Sequence, residues 1–119
     1  MSSHDARAEV IDGARAVADI LGAAPGFYRP PHGRARRCMS DAAAALDEVE
    51  TLWDRSAIDW GWLGTSSRIG RRLSRVAPGQ IVLMHDGANR HNRPDQLLAV
   101  LPGLLADLKR RGMRATALT

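Results

Sequence analysis

A nine-residue segment, Gly79-Gln-Ile-Val-Leu-Met-His-Asp-Gly87, constrains the fold more than any other part of the chain. Its short apolar run, residues 81–84, predicts a single buried strand. The strand delivers a histidine and an aspartate into a glycine loop, and α/β sheets place their chemistry at the carboxyl ends of parallel strands. The segment therefore favours an α/β fold with His85 at a functional strand end.

Helical and strand-like patterns alternate along the rest of the chain. Apolar residues at a helical period predict a first helix from Ser3 to Leu21, with Ser2 or Ser3 as N-cap and Gly22 as its end. Further helices are predicted over residues 40–49, 66–76 and 97–111, and short strands over 27–28, 50–53, 81–84 and 114–118. This alternation predicts βαβ units, in which parallel strands carry helices on the outside.

Capping residues and prolines set the local expectations. Ser40 or Asp41 is expected to cap the second helix, and Ser66 or Ser67 the third.

Two consecutive prolines are expected to exclude helix and central strand from the loop of residues 29–33, and residues 54–64 are predicted to be a loop as well. In the leucine-rich helix, Pro102 removes a backbone donor, so either the helix kinks there or Pro102 lies in the first turn of a second piece.

Size and composition point to one ordinary globular domain. The 119 residues suffice for a single core, and 45% apolar with 25% charged residues is typical of a folded protein. No apolar run approaches the roughly 20 residues needed to cross a bilayer, and the N-terminus does not resemble a secretion signal. The sequence as it stands therefore predicts a cytoplasmic protein without a membrane span. The single Cys38 can form neither an internal disulfide nor half of a zinc ribbon.

The basic charge raises the question of a nucleic-acid partner. The formal net charge is +4 and the isoelectric point about 10.5, mostly because of arginine. The basic residues are dispersed over residues 34–37, 68–75 and 109–111, without interleaved aromatic side chains on which bases stack. This pattern favours a solvated basic surface over nucleic-acid binding.

Two further segments end strand-like pieces in charged, aromatic and proline residues: Phe27-Tyr-Arg-Pro-Pro-His-Gly33 and Trp53-Asp-Arg-Ser-Ala-Ile-Asp-Trp60. Together with residues 79–87, they resemble the later motifs of the polysaccharide deacetylase family, the NodB-like carbohydrate esterases of family 4. The resemblance implies a partial (β/α) barrel with parallel strands and outer helices, in which residues 1–119 form the C-terminal portion of the domain. It also implies hydrolysis of a non-peptide carbon–nitrogen bond, the N-acetyl linkage of glycans such as chitin or peptidoglycan.

The resemblance assigns roles to single residues. Arg29 matches the arginine that holds the catalytic-base aspartate, and a guanidinium can bind a carboxylate bidentately. His32 stands where the family usually has tyrosine, at a position whose backbone N–H faces the developing oxyanion. Asp59 matches the aspartate that orients the catalytic histidine, while Trp53 and Trp60 match the lining of the substrate groove.

The strand-end motif completes the expected site. Leu83 matches the leucine that forms the pocket for the acetyl methyl group, and His85 matches the histidine that protonates the leaving amine. Asp86 is expected to be a structural acceptor of the loop. Without the resemblance, each residue has a plainer interpretation: a proline-fixed surface turn, tryptophans in the core and a structural histidine.

The earlier motifs of the family are missing. Family members hold a divalent metal, commonly zinc, with one aspartate and two histidines, and use a neighbouring aspartate as base. Residues 1–26 contain no Thr-Phe-Asp-Asp-Gly-Pro-like segment, and the chain has no His-x-x-x-His. With these ligands absent, no bound metal is expected, and His4 aligns with the start of a helix rather than with a metal ligand.

An unclosed half-barrel would leave a strand edge unpaired, so a homodimer or a complementing N-terminal half is an expected partner besides an acetylated glycan.

Three candidate functions follow from the sequence. The first is a deacetylase-like hydrolase that is inactive alone. The second is an inactive remnant that binds glycan on Trp53, Trp60 and Trp62. A nucleic-acid-binding domain is the least favoured.

Overall fold

The computed structural model describes all of residues 1–119. Its first helix, α1 (Ser3–Leu21), follows Ser2, which is the N-cap. The Ser2 hydroxyl accepts a hydrogen bond from the Asp5 N–H, and the Asp5 carboxylate accepts one from the Ser2 N–H, both at 3.0 Å. This reciprocal capping box satisfies two donors of the first turn. Gly22, with φ 71°, ends the helix in the left-handed conformation. The predicted bounds of α1 are therefore confirmed, with Ser2 as the N-cap.

The chain forms two compact units, Met1–Leu52 and Trp53–Thr119. The first contains α1, β1 (Phe27–Tyr28), α2 (Arg37–Ala44) and β2 (Val49–Glu50). The two strands pair in parallel, with Phe27 opposite Val49. The buried residues Val10, Ala42 and Ala43 form a small core between the helices.

The second unit contains β3 (Arg55–Ser56), α3 (Ser66–Leu73), β4 (Val82–Leu83) and α4 (Pro94–Arg110). The strands again pair in parallel, with Arg55 opposite Val82. Its core consists of apolar side chains mostly from α3 and α4: Ala57, Ile69, Leu73, Val76, Leu97, Leu104 and Leu108. The predicted α/β class with parallel strands is confirmed. The strands form two separate two-stranded sheets rather than a closed barrel.

Two local expectations of the first unit were wrong. The helix predicted over residues 40–49 is α2, which begins at Arg37 without a side-chain cap and ends at Ala44. Residues 45–48 form the turn into β2 instead, with Asp47 at φ 59°. The consecutive prolines permit one 3-10 turn at Pro31–Gly33, because proline has a helical φ and the first turn needs no N–H.

The second unit differs from expectation mainly in its strands. The region predicted as loop, residues 54–64, contains β3 and a 3-10 turn at Gly61–Leu63. The bounds of the strand predicted over residues 50–53 were wrong as well, because the strand found there, β2 of the first unit, comprises only Val49–Glu50. Residues 114–118 pair with no strand and form none. Thr65 caps α3, not Ser66 or Ser67. Helix α4 continues through Pro102, so no second piece begins there.

None of the helices combines the length and the apolar character that a membrane crossing requires.

Candidate active site

The loop of residues 57–64 follows β3 and carries the acidic and aromatic residues of the site. Ile58 adopts a left-handed conformation with φ 49°, which is rare for a β-branched residue. Its N–H donates to Ser56 Oγ at 3.1 Å. One residue later, the carbonyl of Asp59 accepts the N–H of Arg93 at 2.7 Å. The hydrogen bonds of the Ile58 N–H and the Asp59 carbonyl therefore fix the course of the loop.

The buried Asp59 and the partly exposed His85 form a hydrogen-bonded pair. Asp59 is completely buried, and its Oδ2 accepts the backbone N–H of His85 at 2.7 Å. Its Oδ1 lies 2.8 Å from His85 Nδ1. A buried carboxylate requires hydrogen-bond donors, and here one residue supplies both. Because Nδ1 faces an acceptor, it holds a proton there, and Nε2 of the partly exposed ring is the nitrogen left for chemistry.

Trp60 restricts the histidine ring from another side. The centroids of the Trp60 and His85 rings are 5.4 Å apart, with an angle of 87° between their planes. This edge-to-face arrangement is favourable for aromatic rings. Trp60 also exposes 37% of its surface, so the residue that holds His85 presents an aromatic edge to solvent as well.

The alternation of β4 places His85 away from the core. Val82 and Met84 pack against the apolar cluster of α3 and α4. Successive strand residues point to opposite faces, so Leu83 and His85 share the other face. Leu83 is 5% exposed and is the residue that precedes His85 on that face. Its predicted role in an acetyl-methyl pocket stays a prediction.

The other tryptophans of the unit differ in exposure. Trp53 is half-buried and lies two residues before β3. Trp62 is 76% exposed, and the Arg68 guanidinium lies 5.0 Å from its ring centroid. Arg68 also donates to the Trp62 carbonyl at 3.1 Å, so a cation holds this exposed indole in place.

Arg29 and His32 belong to the unit Met1–Leu52, and both are exposed. Arg29 directly follows β1. His32 has φ 55° and lies in an open depression that Arg34 and Arg36 also line. The structure brings neither residue into contact with a carboxylate, and their predicted roles stay predictions.

Deacetylases and an esterase are among the known proteins similar to this chain, although no protein-family model matches the sequence. The peptidoglycan-N-acetylglucosamine deacetylase of Bacillus cereus is 32% identical over 92 residues, which are 76% of this chain and 42% of that enzyme. A family 4 carbohydrate esterase from Streptomyces lividans, solved in complex with acetate, superposes with a TM-score of 0.83 at 25% identity. The superposition covers 100% of this chain and 58% of the esterase.

This chain is related to the polysaccharide deacetylases of carbohydrate esterase family 4. It spans less than half of the Bacillus cereus enzyme and somewhat more than half of the esterase. A family 4 pseudoenzyme from Bacillus anthracis shares the fold, with a TM-score of 0.77 and 22% identity over 96% of this chain and 38% of the pseudoenzyme. The fold is thus common to an esterase and to a pseudoenzyme.

The donor set of this deacetylase relative does not fit the metal that the family resemblance implies. No group of three or more histidine, cysteine, aspartate or glutamate side chains is placed to hold a metal ion. Asp59 has no exposed surface, and both of its oxygens bind His85. We therefore assign no step of the chemistry to a metal on these 119 residues.

The sequence did not predict the residues that hold the loop around Asp59 in place. Arg72 was included in a solvated basic surface, yet it is half-buried and its Nη1 lies 2.9 Å from the carbonyl oxygen of Ala57. Gly64 is fully enclosed, and a Cβ there would lie 2.8 Å from the Trp60 nitrogen. Neither residue carries a sequence signal, because the partner groups are backbone atoms.

Proposed function

We propose that this chain supplies the acid half of a deacetylase site, which removes N-acetyl groups from an acetylated glycan in carbohydrate metabolism. The observation that carries the proposal is the hydrogen bond between the buried Asp59 and the partly exposed His85, just after β4. The similarity to a peptidoglycan-N-acetylglucosamine deacetylase supports a chitin-like or peptidoglycan-like substrate.

His85 acts as the general acid in this proposal. The Asp59 carboxylate stabilises the imidazolium through Nδ1 and keeps the ring in one orientation. When the carbon–nitrogen bond of the acetamido group breaks, the proton on Nε2 moves to the departing amine nitrogen, and the acetyl group leaves as acetate with an oxygen from water. Neutral His85 then retains its proton on Nδ1.

The chain is proposed to act only together with a segment that supplies the base and the metal ligands. Residues 1–26 contain no counterpart of the family's aspartate motif, and the structure groups no three metal-ligating side chains. A complementing N-terminal half is the partner that this division of the site requires. Zinc is the ion that such a half would hold.

Acetate release from an acetylated chito-oligosaccharide tests the proposal. The purified chain is assayed alone and mixed with the part of the Bacillus cereus deacetylase that it does not match, each with and without zinc. We expect release only in the zinc-containing mixture, and its loss when His85→Ala replaces the wild-type chain. Equal release by the His85→Ala chain in the mixture would contradict the acid role.

Glycan binding without catalysis is the second candidate, and the exposed Trp62 under the Arg68 guanidinium favours it. An indole held in place can stack on a sugar ring. This candidate predicts that chito-oligosaccharide quenches or shifts the tryptophan fluorescence of the chain alone. The change should be the same in the wild type and in His85→Ala. No acetate release in the complemented mixture, combined with Trp62-dependent binding, would favour it over the hydrolase.

A further inference from the structure

Arg72, a residue of α3, connects this helix to the loop that carries Asp59. Its Nη1 lies 2.9 Å from the carbonyl oxygen of Ala57 and 3.2 Å from that of Leu63. The carbonyl of Ile58 is a third acceptor at the limit of 3.5 Å. The two hydrogens of Nη1 therefore serve the two nearer carbonyls, which lie on either side of Asp59 in the sequence.

These carbonyls need a donor because neither accepts a backbone N–H. The last bond between the strands is donated by the Ala57 N–H to the Leu83 carbonyl at 3.0 Å, and the left-handed turn at Ile58 then leads the chain out of the pairing. A buried carbonyl without a partner loses its hydrogen bonds to water and gains none in return, which is destabilising. Hydrogen bonds from a charged donor are roughly twice as strong as neutral ones, so one guanidinium can satisfy the turn.

The backbone of Arg72 is fixed by the packing of α3. Its neighbours in α3, Ile69 and Leu73, are completely buried in the core of the second unit. The loop on the other side is strained, since Ile58 is left-handed, and this conformation is unfavourable for a β-branched residue. The contacts of Arg72 with Ala57 and Leu63 are placed to offset that cost.

We infer that Arg72 is a positioning residue that keeps the Asp59 carboxylate aimed at His85. It holds the loop two residues before Asp59 and four residues after it, and its side chain donates to neither Asp59 nor His85. The effect on catalysis rests on the proposed function. The effect on the pair itself does not, and it is the quantity to measure.

The test is the protonation of the His85 ring in the full chain. Nitrogen-15 NMR of histidine-labelled protein, at a pH well above the ordinary imidazole pKa of about 6.5, reports which ring nitrogen holds the proton. The wild type is expected to show a hydrogen-bonded, downfield Nδ1 proton for His85. The signal is assigned with His85→Gln. Arg72→Met keeps the length of the stem but removes every donor, and Arg71→Met, at an exposed position of the same helix, is the matched control.

We expect Arg72→Met to lose the downfield Nδ1 signal and to populate the Nε2–H tautomer, while Arg71→Met retains the wild-type spectrum. A folded Arg72→Met chain with the wild-type signal overturns the inference. If Arg72→Met does not fold, Arg72→Lys decides, because its single ammonium keeps the charge but cannot reproduce the planar fork. A partial loss in Arg72→Lys supports positioning, and an unchanged signal overturns it.

Two failures can be told apart. Failure of the proposed function would appear as absent acetate release from the complemented wild-type chain, whatever the spectrum shows. Failure of the positioning inference would appear as an unchanged His85 spectrum in the Arg72 variants, whatever the activity. In an active mixture, positioning predicts that Arg72→Met lowers kcat with little change in KM.

Discussion

The carboxylate of Asp59 binds a single residue, His85, with both of its oxygens. One oxygen accepts the backbone N–H at 2.7 Å, and the other lies 2.8 Å from Nδ1 of the ring. The first contact holds the end of β4 against the loop, and the second sets the rotation of the imidazole. A single buried group thereby determines both where the histidine lies and which nitrogen it presents.

Asp59→Asn should test this double contact. The amide keeps the size of the carboxylate but has one acceptor oxygen, so an NH2 group must face one of two donors of His85. Because the site is buried, we expect the free energy of unfolding to fall by about 1–3 kcal/mol. Urea denaturation measures the change, and Asp86→Asn at the exposed neighbouring position serves as control. Equal stability of the two variants would show that the Asp59 contacts contribute little.

Gly64→Ala should destabilise the second unit through the loop. The new Cβ would lie 2.8 Å from the Trp60 nitrogen and 3.0 Å from the Asp59 carbonyl carbon, both of them backbone atoms that cannot move independently. Overpacking of this kind costs typically about 1–3 kcal/mol. The melting temperature should therefore fall.

Gly103→Ala is the matched control for that substitution. Gly103 lies within α4, and a Cβ there meets nothing within 4 Å. Alanine is preferred over glycine in a helix by roughly 0.5–1 kcal/mol, so this variant should melt at a higher temperature than the wild type. A lowered melting temperature for Gly103→Ala together with an unchanged one for Gly64→Ala would invert the expected order.

Glu48→Gln should stabilise the chain at neutral pH but not in acid. Burial raises the pKa of the Glu48 carboxyl, so the folded state binds this proton more tightly than the unfolded state does. The folded state is therefore penalised above that raised pKa. The penalty fades as the pH falls and is gone below the ordinary glutamate pKa of about 4.3.

Melting temperatures of Glu48→Gln and wild type, followed from pH 7 down to pH about 4, measure this effect. The advantage of the variant should shrink along the series. Glu50→Gln, at an exposed position of β2, controls for the loss of a negative charge. An advantage that grows toward acid would mean that the Glu48 carboxylate is stabilised rather than penalised.

Tyr28→Phe should raise the stability of the first unit slightly. The Tyr28 hydroxyl is buried and makes no hydrogen bond within the protein. Burial raises the pKa of Tyr28, and the carboxylates of Glu50 and Glu48 raise it further. Removal of an unpaired buried hydroxyl relieves its desolvation, so we expect a gain of about 1 kcal/mol in urea denaturation. A loss of that size would reveal a hydrogen-bond partner for the hydroxyl.

Local signals explain which parts of the fold the sequence predicts well. The bounds of α1 depend on Ser2, Asp5 and Gly22, all within one turn of the helix ends. Strand β3 has no such signal, because its two residues are ordered by pairing with β4, whose partner residue for Arg55 is Val82. The predicted strand at residues 114–118 failed for the same reason, since an extended segment needs a neighbouring strand.

The residue types of the site were predictable, but their support was not. The motifs singled out Asp59, Trp60 and His85, and these three lie in contact. The same reasoning assigned Arg72 to a solvated surface, because its acceptors are carbonyls 9 and 15 residues earlier in the chain. Backbone acceptors leave no mark in an amino-acid sequence.

The sequence by itself determined the α/β class, the parallel strands and the chemical groups at the end of β4, because periodicity, caps and motif residues act over a few positions. Only the tertiary structure decided that Asp59 reaches His85, 26 residues further along the chain, with both carboxylate oxygens. That contact depends on the parallel pairing of β3 with β4 and on the left-handed turn at Ile58. Such long-range pairing is set by the packing of the whole unit.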